Sequence, residues 1–553
     1  MKYKITILKR FIGIFLLALL QWSCAKDKGN YTYHDSNTLQ ISTDLTGTDP
    51  TVFITADSID IRQNDSLHVK LKIEASLGTA KDFKYQWYVT QYAQSSANPA
   101  VFLIDSTASL STKIRLVPNL YKLVAKVTDL NTSVSFYKTF ALNVSGAEWG
   151  GEGWVILQDL DGGSDISVIT SKDGKTQGKV FHDLYASVNG QKLPKGTFKV
   201  NVINYTTVLR AQKISFLYPN GGLEVRSIDF ADSSKSDNWF LGASNQMNIQ
   251  ANGSAGSSGV GWEYLIINDQ LAYRQLASAA HLKNPPKFFP PYEGLRVAPF
   301  VIQSASSDQI YTVFDKENKA FTLFNAATSV VSTLANYKEP IANLDPNTGQ
   351  GFDMKNMGDN LIYAENAQVM NQTGNVYWNC FFRNNEKTKT HLIQFPRGLV
   401  YLNNFTTGRY QLTAENCPGI NTATLFANPT CLPMPQGIFY YVHDHQIYTC
   451  AVNPLAGSTA QVGMSFAAGT VIKAMKVLNS GYTLANITAL GVPEGKILVV
   501  ATDESANGKG NNVYFFNIND KTGAIMGTAQ SPLATYTGFG KITDIVFKKA
   551  LGR

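Results

Sequence analysis

Apolar and polar residues alternate in short stretches along most of this chain, and this pattern predicts β-strands. Residues 67–73 and 83–89 place apolar side chains at every second position, and residues 121–129 form a third such stretch. A period of two is typical of a strand that buries one face. With the central Trp87 and the later Tyr121, these stretches predict a β-sandwich over residues 51–146.

A different recurring unit fills residues 150–553, where a strand, a turn rich in Asn, Asp and Gly, and an aromatic-rich strand follow one another. The clearest example runs from residue 309 to 324, and another turns at Asn268-Asp269. These hairpins recur roughly every 45–65 residues, close to the spacing of propeller blades. We therefore expect an all-β chain whose second domain is β-propeller-like, with about six to eight blades. The strand at 541–547 is expected to complete the blade that begins near residues 154–157.

A pair of sandwich domains is the alternative architecture for this half of the chain. It would require a linker near the middle. The segment Asn248–Gly259 is rich in Gly, Ser and Asn, and it fits either such a linker or a loop between two blades.

The N-terminus has the anatomy of a secretory signal. A basic stretch over residues 1–10 precedes an apolar run over residues 11–20, which is too short to span a bilayer. Cys24 follows the small residue Ser23, and this resembles a bacterial lipobox, in which the cysteine is acylated and becomes the mature N-terminus. We expect a signal peptide over residues 1–23 and a flexible tether over residues 24–50. An ordinary cleaved signal with an incidental cysteine is the alternative.

Composition and charge exclude several functions. The net charge of +7 is spread along the chain without a dense basic run, which argues against a nucleic-acid partner. No nucleophile elbow, zinc-protease helix motif or phosphate-binding glycine loop occurs. We therefore predict no catalytic residues, no enzyme activity and no cofactor.

Several segments together resemble the PKD-like lipoproteins of Bacteroidetes, which are encoded beside paired outer-membrane receptors. The resemblance rests on Cys24–Tyr31 with residues 33–35, on Tyr85-x-Trp87, on residues 121–129, on residues 153–157 and on residues 540–548. It implies an immunoglobulin-like, PKD-type sandwich before the propeller-like domain. It also implies a non-catalytic accessory protein that is anchored in the outer membrane by acyl chains, at the cell surface or on the periplasmic face.

The partners that this resemblance implies are the receptor and transporter pair and a polysaccharide. A structural docking subunit with no ligand of its own, or a secreted hydrolase, are the alternatives. A peptide nutrient in place of the glycan also stays open.

Candidate site residues are few and fall into three groups. Cys417 and Cys431 share a loop rich in Pro, Asn and Thr and are candidates for a disulfide, with reduced thiols as the alternative. His443 and His445 lie two residues apart and are weak candidate metal ligands, because a hairpin turn is the favoured explanation and a closed site needs more ligands. Aromatic residues near predicted loops are candidates for stacking on sugar rings: Trp239, Trp262, Phe288, Phe289, Tyr292, Tyr377 and Trp378.

Overall fold

The chain forms two compact units, Met1–Val144 and Ser145–Arg553. The computed structural model describes residues 37–45, 52–77, 82–92, 101–205, 211–241, 247–255, 261–276, 285–303, 310–326, 328–333, 356–366, 377–396, 408–430, 438–452, 458–482 and 484–550. Strands dominate these residues, and none of their helices is long and apolar enough to cross a membrane. The predicted all-β class is confirmed.

Two antiparallel sheets make up the first unit. The strands are β1 (Leu39–Asp44), β2 (Phe53–Ile54), β3 (Ser58–Arg62), β4 (Ser66–Ala75), β5 (Phe83–Gln91), β6 (Phe102–Asp105), β7 (Ser109–Lys113), β8 (Asn119–Asp129) and β9 (Ser135–Ser145). Strands β1, β4 and β7 form one sheet, and the other six pair in the order β2-β3-β9-β8-β5-β6.

The core of this unit lies between the two sheets. Trp87 is fully buried, and its indole nitrogen donates a hydrogen bond to the Thr107 carbonyl at 3.0 Å. The Tyr121 hydroxyl donates to the carbonyl of Val117, four residues upstream, at 2.7 Å. A tyrosine that bonds back to the chain in this way is a hallmark of immunoglobulin-like sandwiches. The predicted sandwich is confirmed.

The predicted tether over residues 24–50 needs a correction. Strand β1 lies inside it and pairs antiparallel with β4, from Leu39 opposite Ala75 to Asp44 opposite Lys70. Leu39 is buried at the start of this strand, and burial against a neighbouring strand gives this part of the segment a fixed register.

The second unit contains seven antiparallel sheets and two short α-helices within the described residues. The first sheet contains β10 (Gly153–Leu160), β11 (Gly163–Ile169), β12 (Val180–Phe181) and the last strand, β37 (Lys541–Lys548); the second contains β13 (Lys199–Tyr205), β14 (Ala211–Tyr218), β15 (Gly221–Arg226) and β16 (Asp232–Lys235); and the third contains β17 (Ile249–Ala255), β18 (Gly261–Ile267) and β19 (Gln270–Leu276). The fourth sheet contains β20 (Val297–Gln303), β21 (Ile310–Asp315), β22 (Ala320–Asn325) and β23 (Val330–Thr333), and the fifth contains β24 (Asn360–Asn366), β25 (Tyr377–Arg383), β26 (Thr390–Pro396) and β27 (Gly408–Leu412). The sixth sheet contains β28 (Phe426–Ala427), β29 (Ile438–His443), β30 (Gln446–Ala451) and β31 (Thr459–Ser465), and the seventh contains β32 (Val471–Val477), β33 (Ile497–Asp503), β34 (Asn511–Ile518), β35 (Ile525–Met526) and β36 (Ala534–Phe539). The helices are α1 (Leu184–Asn189) and α2 (Leu484–Leu490).

Each sheet has one inner strand, and the contacts between these inner strands lead from each sheet to the next and back to the first. Strand β37 contacts β13, and β13, β17, β20 and β24 contact one another in that order. Strand β28 contacts β32, which contacts β37. Between β24 and β28, Glu365 accepts a hydrogen bond from the backbone N–H of Asn428 at 2.9 Å. Seven such sheets are typical of a β-propeller-like unit and lie within the predicted range of blade numbers.

The alternative of two sandwiches joined near residues 248–259 is not what the structure contains. Ile249–Ala255 is the inner strand β17, and it pairs with β18. The predicted turn that follows β18 is confirmed, because Asn268 and Asp269 both have positive φ, at 51° and 60°. Two left-handed residues make the hairpin turn whose twist matches that of the flanking strands.

The first and last strands of the second unit form a seam, which we define as the pairing of β10 with β37. Trp154 lies opposite Phe547, and Ile156 lies opposite Ile545. Both pairs are buried in one hydrophobic cluster. The expectation that the last strand completes the blade begun by residues 154–157 is confirmed.

Lys548 ends the seam as a buried cation. Its side chain has no exposed surface, and its ammonium donates to the carbonyl of Gly150 at 2.7 Å and to that of Gly151. Burial lowers the pKa of Lys548 to about 7, although the negative charge of Glu152 opposes this shift.

The unit should therefore become more stable as the pH rises from about 7 to about 10.5. Over that range the folded state releases the Lys548 proton while the unfolded state still holds it, since the ordinary pKa is 10.5. Denaturant unfolding at several pH values measures this slope, and Lys548→Met should flatten it. An equal slope in the two proteins would contradict the assignment to Lys548.

Candidate functional site

Three of the predicted stacking residues are buried. Trp239 is 1% exposed, Trp262 5% and Phe288 4%. Phe288 packs under the guanidinium of Arg274, 4.3 Å from its ring centroid, and Trp239 donates to the Ser234 hydroxyl at 3.0 Å. Burial in the blades removes the open ring face that stacking on a sugar requires, so these three predictions are corrected to packing.

Phe289 and Tyr292 lie at the edge of the third sheet. The segment runs beside β19, because the N–H of Phe289 donates to Tyr273 and that of Tyr292 donates to Leu271. Pro290 and Pro291 between them have no N–H to donate, which fits an edge position. Phe289 is 52% exposed, while the Tyr292 ring packs 5.7 Å from that of Phe324. Of this pair, Phe289 retains an accessible ring.

The remaining aromatic candidates lie in β25. Trp378 is half-buried and packs against the cluster around Phe314 and Phe382. Its indole nitrogen has no hydrogen-bond partner within the described residues. Tyr377 belongs to the same strand, and its side chain lies outside the described residues. Cys24 also lies outside them.

The two histidines flank a turn and do not gather a metal-binding set. His443 ends β29, Asp444 adopts a left-handed φ of 51°, and His445 precedes β30. Within the described residues, no group of three or more His, Cys, Asp or Glu side chains is placed to hold a metal. The turn interpretation accounts for the spacing of the histidines.

Cys417 faces Cys450, a pairing that the sequence did not single out. Both thiols are fully buried, and their sulfur atoms lie 3.6 Å apart. Cys431, the predicted partner of Cys417, lies outside the described residues. Cys380 is a third buried free thiol, and burial raises its pKa.

Under oxidising conditions Cys417 should form a disulfide with Cys450. Each thiol would lose one proton and one electron, and a small-molecule disulfide would be reduced to two thiols in exchange. Peptide mapping without reductant, after refolding with oxidised glutathione, should yield the cross-linked peptide that contains residues 417 and 450. Recovery of a Cys417–Cys431 peptide instead would contradict this pairing.

A buried charge quartet lies between the second and third sheets, formed by Lys213, Glu224, Glu263 and Arg274. Arg274 donates to Glu263 at 2.8 Å and to Glu224 at 2.6 Å. Lys213 donates to the same two carboxylates at 2.8 and 2.7 Å. Burial alone would raise the pKa of Glu263, but the charges of Arg274 and Lys213 hold it at about 2. These four charges satisfy one another, which indicates a structural role.

A second cluster lies among the inner strands, and we call it the axial cluster. It contains four charged residues that come from four different sheets: Lys199 of β13, Glu365 of β24, Lys476 of β32 and Asp544 of β37. Inner strands of a propeller surround its central channel, which is a common place for ligands.

Asp544 and Lys199 form the first pair of this cluster. Their charged atoms lie 3.1 Å apart, and the same Asp544 oxygen accepts the backbone N–H of Val200 at 3.2 Å. Asp544 is nearly buried, whereas the Lys199 side chain is 35% exposed. The carboxylate is therefore fixed in place while the ammonium stays accessible.

Glu365 is held from the neighbouring inner strand. One of its oxygens accepts the backbone N–H of Asn428 at 2.9 Å and the Asn428 side-chain amide at 3.1 Å. The Tyr363 hydroxyl also bonds to this carboxylate, and the amide of Asn379 donates to Asn428 at 2.8 Å. Burial raises the pKa of Glu365, and the charge of Lys476 and these hydrogen bonds oppose the shift.

Lys476 differs from the other three residues. Among the described residues it has no ion pair and no hydrogen-bond acceptor, although it interacts electrostatically with Lys199, Asp544 and Glu365. The positive charge of Lys199 and burial lower the pKa of Lys476. Its side chain is half-buried and keeps accessible surface. The cluster therefore contains one cation whose hydrogen-bonding capacity is unused.

The axial cluster was missed at the level of sequence because its members are far apart. Lys199 and Asp544 are paired across almost the whole second unit. A local signal does exist, since charges interrupt largely apolar strands in the segments around Lys476 and Asp544. A charge inside an otherwise apolar strand needs a partner or a solvent channel, so such positions mark candidates.

Comparison with known proteins finds a family match over one part of the chain. Residues 24–196 match the model of the PKD-like family. The match covers the sandwich and extends into the first sheet of the second unit. No curated protein matches the chain.

Several solved structures are similar at low identity. A quinonprotein alcohol dehydrogenase-like protein from Bacteroides thetaiotaomicron is 14% identical, with 92% of this chain and 99% of that one covered and a TM-score of 0.42. A Synechocystis ACO mutant is 9% identical, with 73% and 94% covered and a TM-score of 0.38. Dihydro-heme d1 dehydrogenase NirN is 10% identical, with 75% and 72% covered and a TM-score of 0.33. The propeller-like assignment therefore rests on the strand pairing described above.

Proposed function

We propose that this protein is a non-catalytic, lipid-anchored accessory protein of an outer-membrane nutrient-uptake system, and that its second unit binds a glycan. The lipobox-like start supports export and anchoring. The observation that carries the binding function is Lys476, a partly accessible cation without a hydrogen-bond acceptor among the described residues.

An unused charged donor is costly in a purely structural cluster. Lys476 is half-buried, and a partly buried charge is less favourable without an acceptor than with one, whereas the buried charge quartet shows how this chain pairs charges that serve packing. An acceptor atom from a ligand would complete the axial cluster. Ligand binding therefore explains the unpaired ammonium of Lys476 better than a structural role does.

The anchor can be tested apart from the ligand. Cys24 would carry the acyl chains that hold the protein in the outer membrane, with the folded units at the cell surface. After cell fractionation and a carbonate wash, the native chain should remain with membranes and the Cys24→Ala variant should not. Membrane retention of that variant would contradict acylation at Cys24.

Glycan binding can be tested on the detergent-solubilised full chain. A broad polysaccharide screen should find at least one ligand, and Phe289→Ala should weaken binding if the edge aromatic contributes a stacking surface. Reproducible turnover of a polysaccharide that one carboxylate substitution abolishes would contradict the non-catalytic role.

A docking subunit without a ligand is the second candidate, and one surface favours it. The outer face of the six-stranded sheet exposes Leu103 at 54% and Tyr137 at 62%, and Leu120 is exposed on the same face. Exposed apolar side chains on one face are typical of protein-binding surfaces. Co-purification of the paired receptors without any glycan binding, lost in Tyr137→Lys, would favour docking.

A further inference from the structure

We infer that the axial cluster binds the carboxylate of an acidic saccharide, such as a uronic acid residue of a polysaccharide. The inference rests on the proposed function, because it assumes that the second unit binds a glycan. It goes further in naming the charged group of the ligand and the side chains that receive it.

Two ammonium groups of this cluster lie on inner strands that share a neighbour, because β13, which carries Lys199, and β32, which carries Lys476, both contact β37. Among the influences on Lys476, the charge of Lys199 is the largest, so the two groups are near enough to repel each other. Both side chains keep accessible surface. A carboxylate has two acceptor oxygens and can receive one hydrogen bond from each ammonium, which would replace their repulsion by attraction.

The two acids of the cluster are already engaged. Asp544 accepts from Lys199 and from the backbone of Val200, and Glu365 accepts from Asn428 twice. Neither acid forms an ion pair with Lys476 among the described residues. The hydrogen-bond donor that remains without an acceptor in the cluster, the Lys476 ammonium, is therefore positively charged. A charged acceptor bonds to such a cation more strongly than a neutral hydroxyl does.

A panel of matched saccharides tests this chemistry. Oligomers of galacturonate, glucuronate, mannuronate and guluronate, and their methyl esters, are titrated into the detergent-solubilised full chain by calorimetry. At least one acid form should bind about tenfold or more tightly than its ester, because the ester keeps the shape and loses the charge.

Variants of β32 assign the effect to the site. Lys476→Met should remove the preference for the acid form, whereas Lys476→Arg should retain most of it because the positive charge remains. Lys473→Met is the matched control, since Lys473 lies in the same strand and interacts with Asp503 outside the cluster. Thermal unfolding of each variant checks that the fold is intact.

The outcomes separate this inference from the proposed function. If a neutral or sulfated glycan binds and no uronate oligomer does, the carboxylate inference is wrong and glycan binding stands. Equal affinity for acid and ester forms, or an equal loss in Lys473→Met and Lys476→Met, would also overturn it. If no saccharide of any kind binds, the proposed function itself fails.

Discussion

Removal of residues 542–553 should unfold most of the second unit and leave the sandwich folded. The deletion takes away nearly all of β37, which pairs with β10 along the seam and contacts the inner strands β13 and β32. Ile542, Ile545 and Phe547 would leave the cluster that they share with Trp154. Loss of these three buried side chains, at roughly 2–5 kcal/mol each, is comparable to the roughly 5–15 kcal/mol that stabilise an ordinary domain, and the lost pairing with β10 adds to it.

Calorimetry and limited proteolysis measure this outcome. The truncated chain should lose the melting transition of the second unit, and protease should leave a resistant fragment that covers the sandwich. A chain shortened by residues 551–553 alone is the control. Unchanged cooperative melting in the longer deletion would mean that the sheets of the second unit fold as independent tandem domains.

Arg274→Leu should lower the free energy of unfolding of the second unit by about 3–5 kcal/mol. Arg274 is 1% exposed and bonds to both Glu224 and Glu263. Its removal leaves two buried carboxylates with Lys213 as their one remaining cation in the buried charge quartet. Packing against Phe288 would be lost as well.

Denaturant unfolding measures the effect, and a surface pair supplies the control. Lys496 and Asp520 lie 2.9 Å apart with side chains that are 45% and 49% exposed. Lys496→Ala should change stability by less than about 1 kcal/mol, because solvent screens such pairs. A similar small change in Arg274→Leu would show that the quartet contributes little.

The fold was accessible from the sequence because its signals are local. Alternation over residues 67–73 fixed which face of β4 is buried, and Asn268-Asp269 marked a hairpin turn that the structure contains. The segment 39–44 was missed because its polar surroundings hide a short alternating strand. A strand of this length is stabilised by its partner β4 more than by its own composition.

Much less of the candidate site than of the fold could be predicted from the sequence. Aromatic residues at strand ends look alike in sequence whether they face solvent or the next blade, so Trp239 and Phe289 could not be told apart before their burial was known. The axial cluster depends on pairings such as Lys199 with Asp544, which no local pattern encodes. Such sites consist of residues that the fold brings together from distant parts of the chain, so they can be recognised when the positions of the inner strands are known.

The seam also determines when the second unit can finish folding. Lys548 bonds to Gly150 across 398 positions of sequence, whereas the sandwich completes its pairings within its own unit. Contacts between such distant segments form late, because a long loop must close before any contact is gained. The sandwich can therefore fold while the chain is still being delivered, but the first sheet of the second unit must wait for residues 541–548. During that interval the unpaired edge of β10 is exposed to association with other chains.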